Sequence, residues 1–351
     1  MTVIADIFGR DPAFSATTLT DAINEVAYKP GRLGELGLFE AEPVDTTTIA
    51  VAKKGEILVL VPSTPRGAPG VTIDKEKANQ RNFSIPHFEI NDKITAEEIQ
   101  NVIAFGTDRA RETMANKIAL RQRTMVNSFG VTEEYARMGA VKGIVVYPTG
   151  SADADLNLFT EFGVTQATEI DFDLDNNSPV GGVLRKKCAG VVRQLQDALG
   201  GIPFSGAHAF CGDAFFDDLL AHPEVRETFK GWSEAQILRE GYIAPNRGTY
   251  PIFEFGGIVW ENYRGSVGST GFIGTDKCQI LPLGVPGLFK SFYGPSDLNP
   301  EIDGGVNQMG QRLIMPTPRP SEDNKGYKLD GQMNALQLCL RPQVLIPGKR
   351  T

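Results

Sequence analysis

Three histidines (His87, His208, His222) and four cysteines (Cys188, Cys211, Cys278, Cys339) are the chain's only bases near neutral pH and its only thiols. His208 precedes Cys211 by three residues in Ala207-His208-Ala209-Phe210-Cys211-Gly212. A cysteine hydrolase needs a thiolate beside a base that a third group orients, and this spacing would let the two side chains touch. Alanine, phenylalanine and glycine around them at the edge of a strand favour the plainer reading, two buried and satisfied side chains. A zinc site needs four ligands, and His208-x-x-Cys211 supplies two. No CxxC pair occurs. So long a chain with so few cysteines is no disulfide scaffold, and a reducing cytosol is the expected compartment.

Other chemistry-bearing patterns also fall short. GxxxxGK[ST] is absent, and Gly265-Ser266-Val267-Gly268-Ser269-Thr270-Gly271 lacks the GxGxxG spacing and joins no strand to a helix. Asp171, Asp173 and Asp175 followed by Asn176-Asn177-Ser178 resemble part of a calcium loop. The sixth and twelfth positions, however, hold Asn176 and Gly182 where Gly and Glu belong, so a solvated turn is expected. Arg109, Arg111, Lys117, Arg121 and Arg123 form a basic stripe. It reads as an ordinary solvated face, or as one opposed to acidic neighbours or to nucleic acid at low density. No catalytic, cofactor-binding or metal-ligating residue is assigned.

The elements that would position these groups follow an unusual order. Residues 1–42 read as an extended arm with one short helix over Ser15 to Ala27; its Phe8, Phe14, Leu36, Leu38 and Phe39 need a partner surface, in this subunit or another. Runs 46–51 and 56–61 bracket Lys53-Lys54-Gly55 as a hairpin. A loop rich in Pro and Gly and a returning strand over Arg81 to Ile90 complete a protruding flap. Thr95-Ala96-Glu97-Glu98 fits a capping box. It opens a helix to about Asn127, roughly 45 Å long, whose thin apolar stripe suits a strut across a sheet.

Beyond it, Val141–Pro148 and Gly163–Asp173 are expected strands. Leu184, Cys188, Val191, Leu195 and Ala198 trace an amphipathic helix ended by Gly200-Gly201. Asp213 caps a helix stopped at Pro223, and Ser233 one that ends at Gly241. Gly256-Gly257 turns a hairpin. Strands over Cys278–Leu283, Leu313–Met315 and Tyr327–Leu340 follow, the last with Leu336, Leu338 and Leu340 on one face.

Composition bounds the class. The 351 residues, 41% hydrophobic and 22% charged, exclude global disorder. A net charge of −8 disfavours wholesale wrapping of nucleic acid. Neither a secretory signal nor an apolar stretch long enough to span a bilayer is visible, so a soluble, intracellular product is expected.

An arm, a β flap, a strut helix and a later α/β region closed by a long strand resemble the phage-lambda-type major capsid protein family of tailed bacteriophages, the E proteins. The stretches that carry the resemblance are Tyr28-Lys29-Pro30-Gly31-Arg32-Leu33-Gly34, Ile85-Pro86-His87-Phe88-Glu89-Ile90 with Ile94-Thr95-Ala96-Glu97-Glu98, and Ile170-Asp171-Phe172-Asp173-Leu174. Later ones are Cys211-Gly212-Asp213-Ala214-Phe215-Phe216-Asp217 and Asn307-Gln308-Met309-Gly310-Gln311-Arg312. Each is weak alone; their collinear order over almost the whole chain carries the weight.

The resemblance implies an α+β chain with the HK-ninety-seven-like (Johnson) fold. Residues 1–42 would be the N-arm and 43–93 the E-loop. Residues 94–180 would hold the spine helix and first part of the P domain, 181–310 the A domain, and 311–351 the second part of the P domain. It further implies a non-enzymatic head protein that builds pentamers and hexamers of an icosahedral shell around double-stranded DNA. Scaffold, portal and often decoration proteins would be partners, DNA would be contacted weakly, and no membrane or cofactor would be involved. Assembly would occur in the bacterial host cytoplasm, and the protein would reside in the virion. Lys53, Lys54, Lys75 and Lys77 lie in the flap, but no partner for a cross-link can be aligned. Two other readings stay open: a tail-tube or head-decoration subunit, and a cytosolic cysteine enzyme using Cys211 and His208.

Overall fold

A computed structural model describes residues 31–53, 79–95, 98, 114–147, 155–176, 178–230, 251–267, 270–298, 309–316, 318–321 and 326–351. The first elements are α1 (Arg32–Glu35), β1 (Phe39–Pro43), β2 (Thr48–Lys53), β3 (Asn79–Ser84), β4 (His87–Thr95) and the long helix α2 (Met114–Lys142). Then come β5 (Ile144–Val146), β6 (Asp155–Asn157), α3 (Leu158–Phe162), β7 (Ile170–Asp171), α4 (Val183–Leu199), β8 (Gly206–Cys211), α5 (Asp213–Ala221) and α6 (Pro223–Lys230). The remainder is β: β9 (Ile252–Phe255), β10 (Ile258–Asn262), β11 (Ser266–Val267), β12 (Thr270–Gly271), β13 (Lys277–Leu283), β14 (Phe289–Tyr293), β15 (Arg319–Pro320), β16 (Gly326–Cys339) and β17 (Ile346–Lys349).

Two sheets organise the core. In the first, β16 is the spine: β4 runs antiparallel along residues 326–334 on one edge. The other edge takes β14 over residues 335–339, an isolated bridge from Ile314 to Gln332, and β15 at Tyr327 and Lys328. β1 adds in parallel outside β14, with Phe39 opposite Phe289. The second sheet runs β7-β17-β13-β8-β10-β9. The chain passes from second sheet to first between β13 and β14 and returns between β16 and β17, so neither sheet is one continuous stretch of sequence.

Helix α2 ties the sheets together. Met125 and Phe129 bury against Ile94, Leu329, Met333 and Ala335 of the first sheet, while Ala136, Met138, Ala140 and Val141 enter the larger core. An amphipathic helix is held chiefly by such packing rather than by propensity. At its start Thr95 ends β4, which β16 extends through a ladder out to Gly326; the Thr95 N–H lies 3.5 Å from Glu98 Oε1, as a capping box requires, and the Glu98 N–H donates to the Thr95 carbonyl at 3.2 Å. Residues 99–113 lie outside the described residues. At its other end the helix passes Asn127 and stops at Lys142, since burial of Phe129, Ala136 and Ala140 outweighs the helix-weakening Gly130 and Gly139. The strand expected over Val141–Pro148 therefore shrinks to β5.

Other expectations shift for similar reasons. β2 pairs with β3, Ile49 opposite Phe83; the run 56–61 lies outside the described residues. Arg81–Ile90 is two strands broken at Ile85-Pro86, whose ring nitrogen has no proton to donate to a ladder. Gly163–Asp173 keeps only β7, and Leu313–Met315 only the bridge at Ile314. Pro223, expected as a stop, opens α6, where a missing N–H at the first helical position costs nothing. The expected helix α4, its αL end at Gly200 and the Gly256-Gly257 hairpin (φ +64° and +80°) all form. Helices at 15–27 and 233–241 fall outside the described residues. Among those residues no helix is long and apolar enough to cross a membrane.

Candidate functional site

The plainer reading of His208 and Cys211, two buried and satisfied side chains, fits the strand period of two. His208 and Cys211 lie three residues apart on β8, so their side chains leave opposite faces of the sheet and do not meet. Cys211 is fully buried, and desolvation holds its thiol well above the usual range. A thiol so placed is a poor nucleophile. His208 Nε2 instead lies 3.0 Å from Glu261 Oε2 on β10. No base faces Cys211 with a third group behind it, and the cysteine-enzyme geometry is absent from these two residues.

Glu261 belongs to a junction of three buried carboxylates, Glu133, Glu134 and Glu261, that the sequence pattern did not single out. Arg32, which opens α1, clasps Glu261 through Nε at 2.6 Å and a second guanidinium nitrogen at 3.2 Å. Burial alone would raise the Glu261 carboxyl, but hydrogen bonds from His208 and Arg32 outweigh it and hold the group below the ordinary carboxylate range. Glu134, on α2, accepts the Leu33 N–H at 2.7 Å and the Tyr263 hydroxyl at 3.2 Å. Here desolvation dominates and raises the carboxyl. Its neighbour Glu133 accepts from Tyr293 Oη at 2.7 Å, Arg137 at 2.8 Å and Arg312 Nε at 2.7 Å.

The junction joins four parts of the chain: α1 through Arg32 and Leu33, α2, the first sheet through Tyr293, and the second sheet through Glu261. Gly34 is small because Arg137 lies over it; a Cβ there would stand 2.9 Å from the guanidinium. A charged residue inside the apolar run Ile258-Val259-Trp260-Glu261 was the one local signal of this network. Its partners lie 53 and 229 residues away and could not be read from spacing.

The remaining expectations resolve locally. Asp171 accepts the Asp173 N–H at 2.8 Å and pairs with Lys349, and Asp173 accepts from Asn176, so these acids close a turn. Among the described residues no group of three or more His, Cys, Asp or Glu side chains could hold a metal ion. Gly265–Gly271 carries the two-residue strands β11 and β12. Of the basic stripe, Arg121 meets Asp92 at 3.5 Å and Glu98 at 3.6 Å, acidic neighbours as one reading had it. Arg109 and Arg111 lie outside the described residues, as do Lys54, Lys75 and Lys77.

What the surface offers is form. The β2–β3 ribbon is anchored at its base by Ile49 and Phe83, the latter 5.7 Å from the Phe162 ring, with Arg81 meeting Glu161 at 3.6 Å. β1 and β9 each lie at one edge of their sheets, and on β1 Glu40 accepts the Gly287 N–H at 3.0 Å while Glu42 pairs with Lys290 of β14.

Comparison with known proteins agrees with these features. A family model described as phage major capsid protein E matches residues 15–350. The major capsid protein of Pseudomonas phage KPP10 is 27% identical over 353 residues, covering 96% of this chain and 97% of that protein. That of Salmonella phage Felix O1 (isolate Felix O1-VT1) is 26% identical, covering 95% of each. Among solved structures, the capsid of Cyanophage P-SCSP1u is similar in fold, with a TM-score of 0.51 at 11% identity over 93% of this chain and 90% of that one.

Proposed function

Because the chain belongs to the phage major capsid protein E family, we propose that its copies assemble as pentamers and hexamers into an icosahedral shell enclosing double-stranded DNA. The chain is a structural capsid protein with the HK-ninety-seven-like fold, and so a component of the virion. The family match over residues 15–350 is the observation that carries the proposal. The anchored ribbon and the charged outer strands support it physically. Elements with little core of their own gain stability by burial against neighbours, and many copies multiply modest interfaces.

In this reading residues 1–42 act as the N-arm and 43–93 as the E-loop over a neighbouring subunit. Residues 94–180 and 311–351 form the P domain, and 181–310 form the A domain around the symmetry axes. Shells form in the host cytoplasm with scaffold and portal proteins and, in some particles, a decoration protein. The net charge of −8 suits an inner wall that holds DNA without adhering to it. The role calls for no catalysis.

Electron microscopy of the chain expressed alone and with a scaffold tests this. Closed shells or capsomer rings are expected. Rods would point to a tail-tube role, and small discrete oligomers would overturn the shell reading.

A further inference from the structure

Cys211 and Cys278 lie directly opposite each other on β8 and β13, the two central strands of the second sheet. Gly212 N–H donates to the Lys277 carbonyl at 2.9 Å, which makes the cysteine pair a non-hydrogen-bonded one. Cα atoms at such positions approach to about 4.5 Å, inside the range of roughly 4.4–6.8 Å that a disulfide spans. Both thiols are free and buried, and Cys211 Sγ lies 3.9 Å from the Ala209 carbonyl. On the third strand, β17, Gly348 opposes Cys278. A Cβ there would stand 2.6 Å from Cys278 Sγ and 2.8 Å from the Phe172 ring. The absent side chain leaves the room that the sulfur uses.

We infer that Cys211 and Cys278 are a peroxide-sensitive dithiol that closes into a cross-strand disulfide within the subunit. The oxidant class follows from the burial. A glutathione-sized disulfide has no approach to sulfurs that are almost wholly covered, whereas hydrogen peroxide is little larger than water and uncharged. One sulfur attacks a peroxide oxygen, breaking the O–O bond to give a sulfenic acid and water. The second sulfur then attacks the first and expels its hydroxyl as water. Two thiols and one hydrogen peroxide thus yield one disulfide and two waters. Desolvation keeps the Cys211 thiol protonated and makes the first step slow. The product would staple the middle of the second sheet. Cys188, on α4, is the rival partner for Cys278 that the test includes, while Cys339 lies in the other sheet.

The test treats the native protein with hydrogen peroxide, removes the excess with catalase, and denatures it in an alkylating maleimide. Digestion without reductant and mass spectrometry follow. The expected product is a linked peptide pair joining Cys211 to Cys278, about 2 Da lighter than the two thiol peptides. The C188A/C339A variant should give the same product, and oxidised glutathione should give none. Recovery of all four thiols alkylated would overturn the inference. So would a Cys188–Cys278 link, sulfinic acid at Cys211 beside a free Cys278, or equal yield from oxidised glutathione.

Discussion

Glu261 is completely withdrawn from water and remains ionised because Arg32 and His208 both donate to it. Removing one partner of such a buried pair leaves a charge without compensation, at a cost of about 3–5 kcal/mol. Arg32→Ala should lose that much stability in chemical denaturation of the unassembled subunit. Arg32→Lys, which keeps the charge but not the two-pronged clasp, should lose about 1.5 kcal/mol. An unchanged midpoint for Arg32→Ala would mean that the clasp contributes nothing to the fold.

The junction also sets a pH signature with two opposed signs. Glu261 is depressed in the folded state, so its contribution is present above the ordinary carboxylate value and is lost as pH falls through the folded value. Glu134 is raised, so its contribution is present below the ordinary value and is lost as pH rises through the folded one. Thermal midpoints measured against pH should fall on both sides of the ordinary carboxylate range. Glu261→Gln should flatten the acid limb, and Glu134→Gln the other limb.

Helices α2 and α4 offer a controlled contrast at the level of elements. A Cβ on Gly139 would meet the backbone of Val145 at 2.9 Å and the Ile144 carbonyl at 3.0 Å, whereas Gly190 on α4 has nothing within 4 Å. Alanine gains up to about 1 kcal/mol over glycine in a helix interior, so Gly190→Ala should raise the unfolding midpoint. Gly139→Ala should lower the midpoint, with a loss of about 1–3 kcal/mol of stability, because β5 must move. Opposite signs in one denaturation experiment would establish that α2 is clamped to β5.

The same elements mark what the sequence could tell. Helix α4 and the Gly256-Gly257 hairpin were legible because their apolar period, αL end and turn residues are all local. The end of α2 was not, since burial of Phe129 and Ala140 by distant strands overrides two weakening glycines. Glu133 and Glu134 lie beyond the helix end expected near Asn127 and carry no local signal, for their partners Tyr293, Arg312, Leu33 and Tyr263 are far away in sequence. His208 and Cys211 are the buried, satisfied side chains that their apolar neighbours imply, and the strand period of two sends them to opposite faces of β8.

For the molecule as a whole, two interleaved sheets and a helix that ties them to α1 make a body that should survive loss of what precedes it. Deleting residues 1–30 spares Arg32, Leu33 and β1, so the far-ultraviolet circular dichroism and unfolding cooperativity should persist while shell yield drops sharply. Intact shells from that deletion would remove the arm from the assembly scheme. The proposal itself is that copies of this chain complete one another. Sedimentation velocity of the purified full-length chain over a wide concentration range addresses it most directly. Capsomer-sized and shell-sized boundaries that grow with concentration are expected; a single monomeric boundary at the highest concentration, with or without a scaffold, would contradict it.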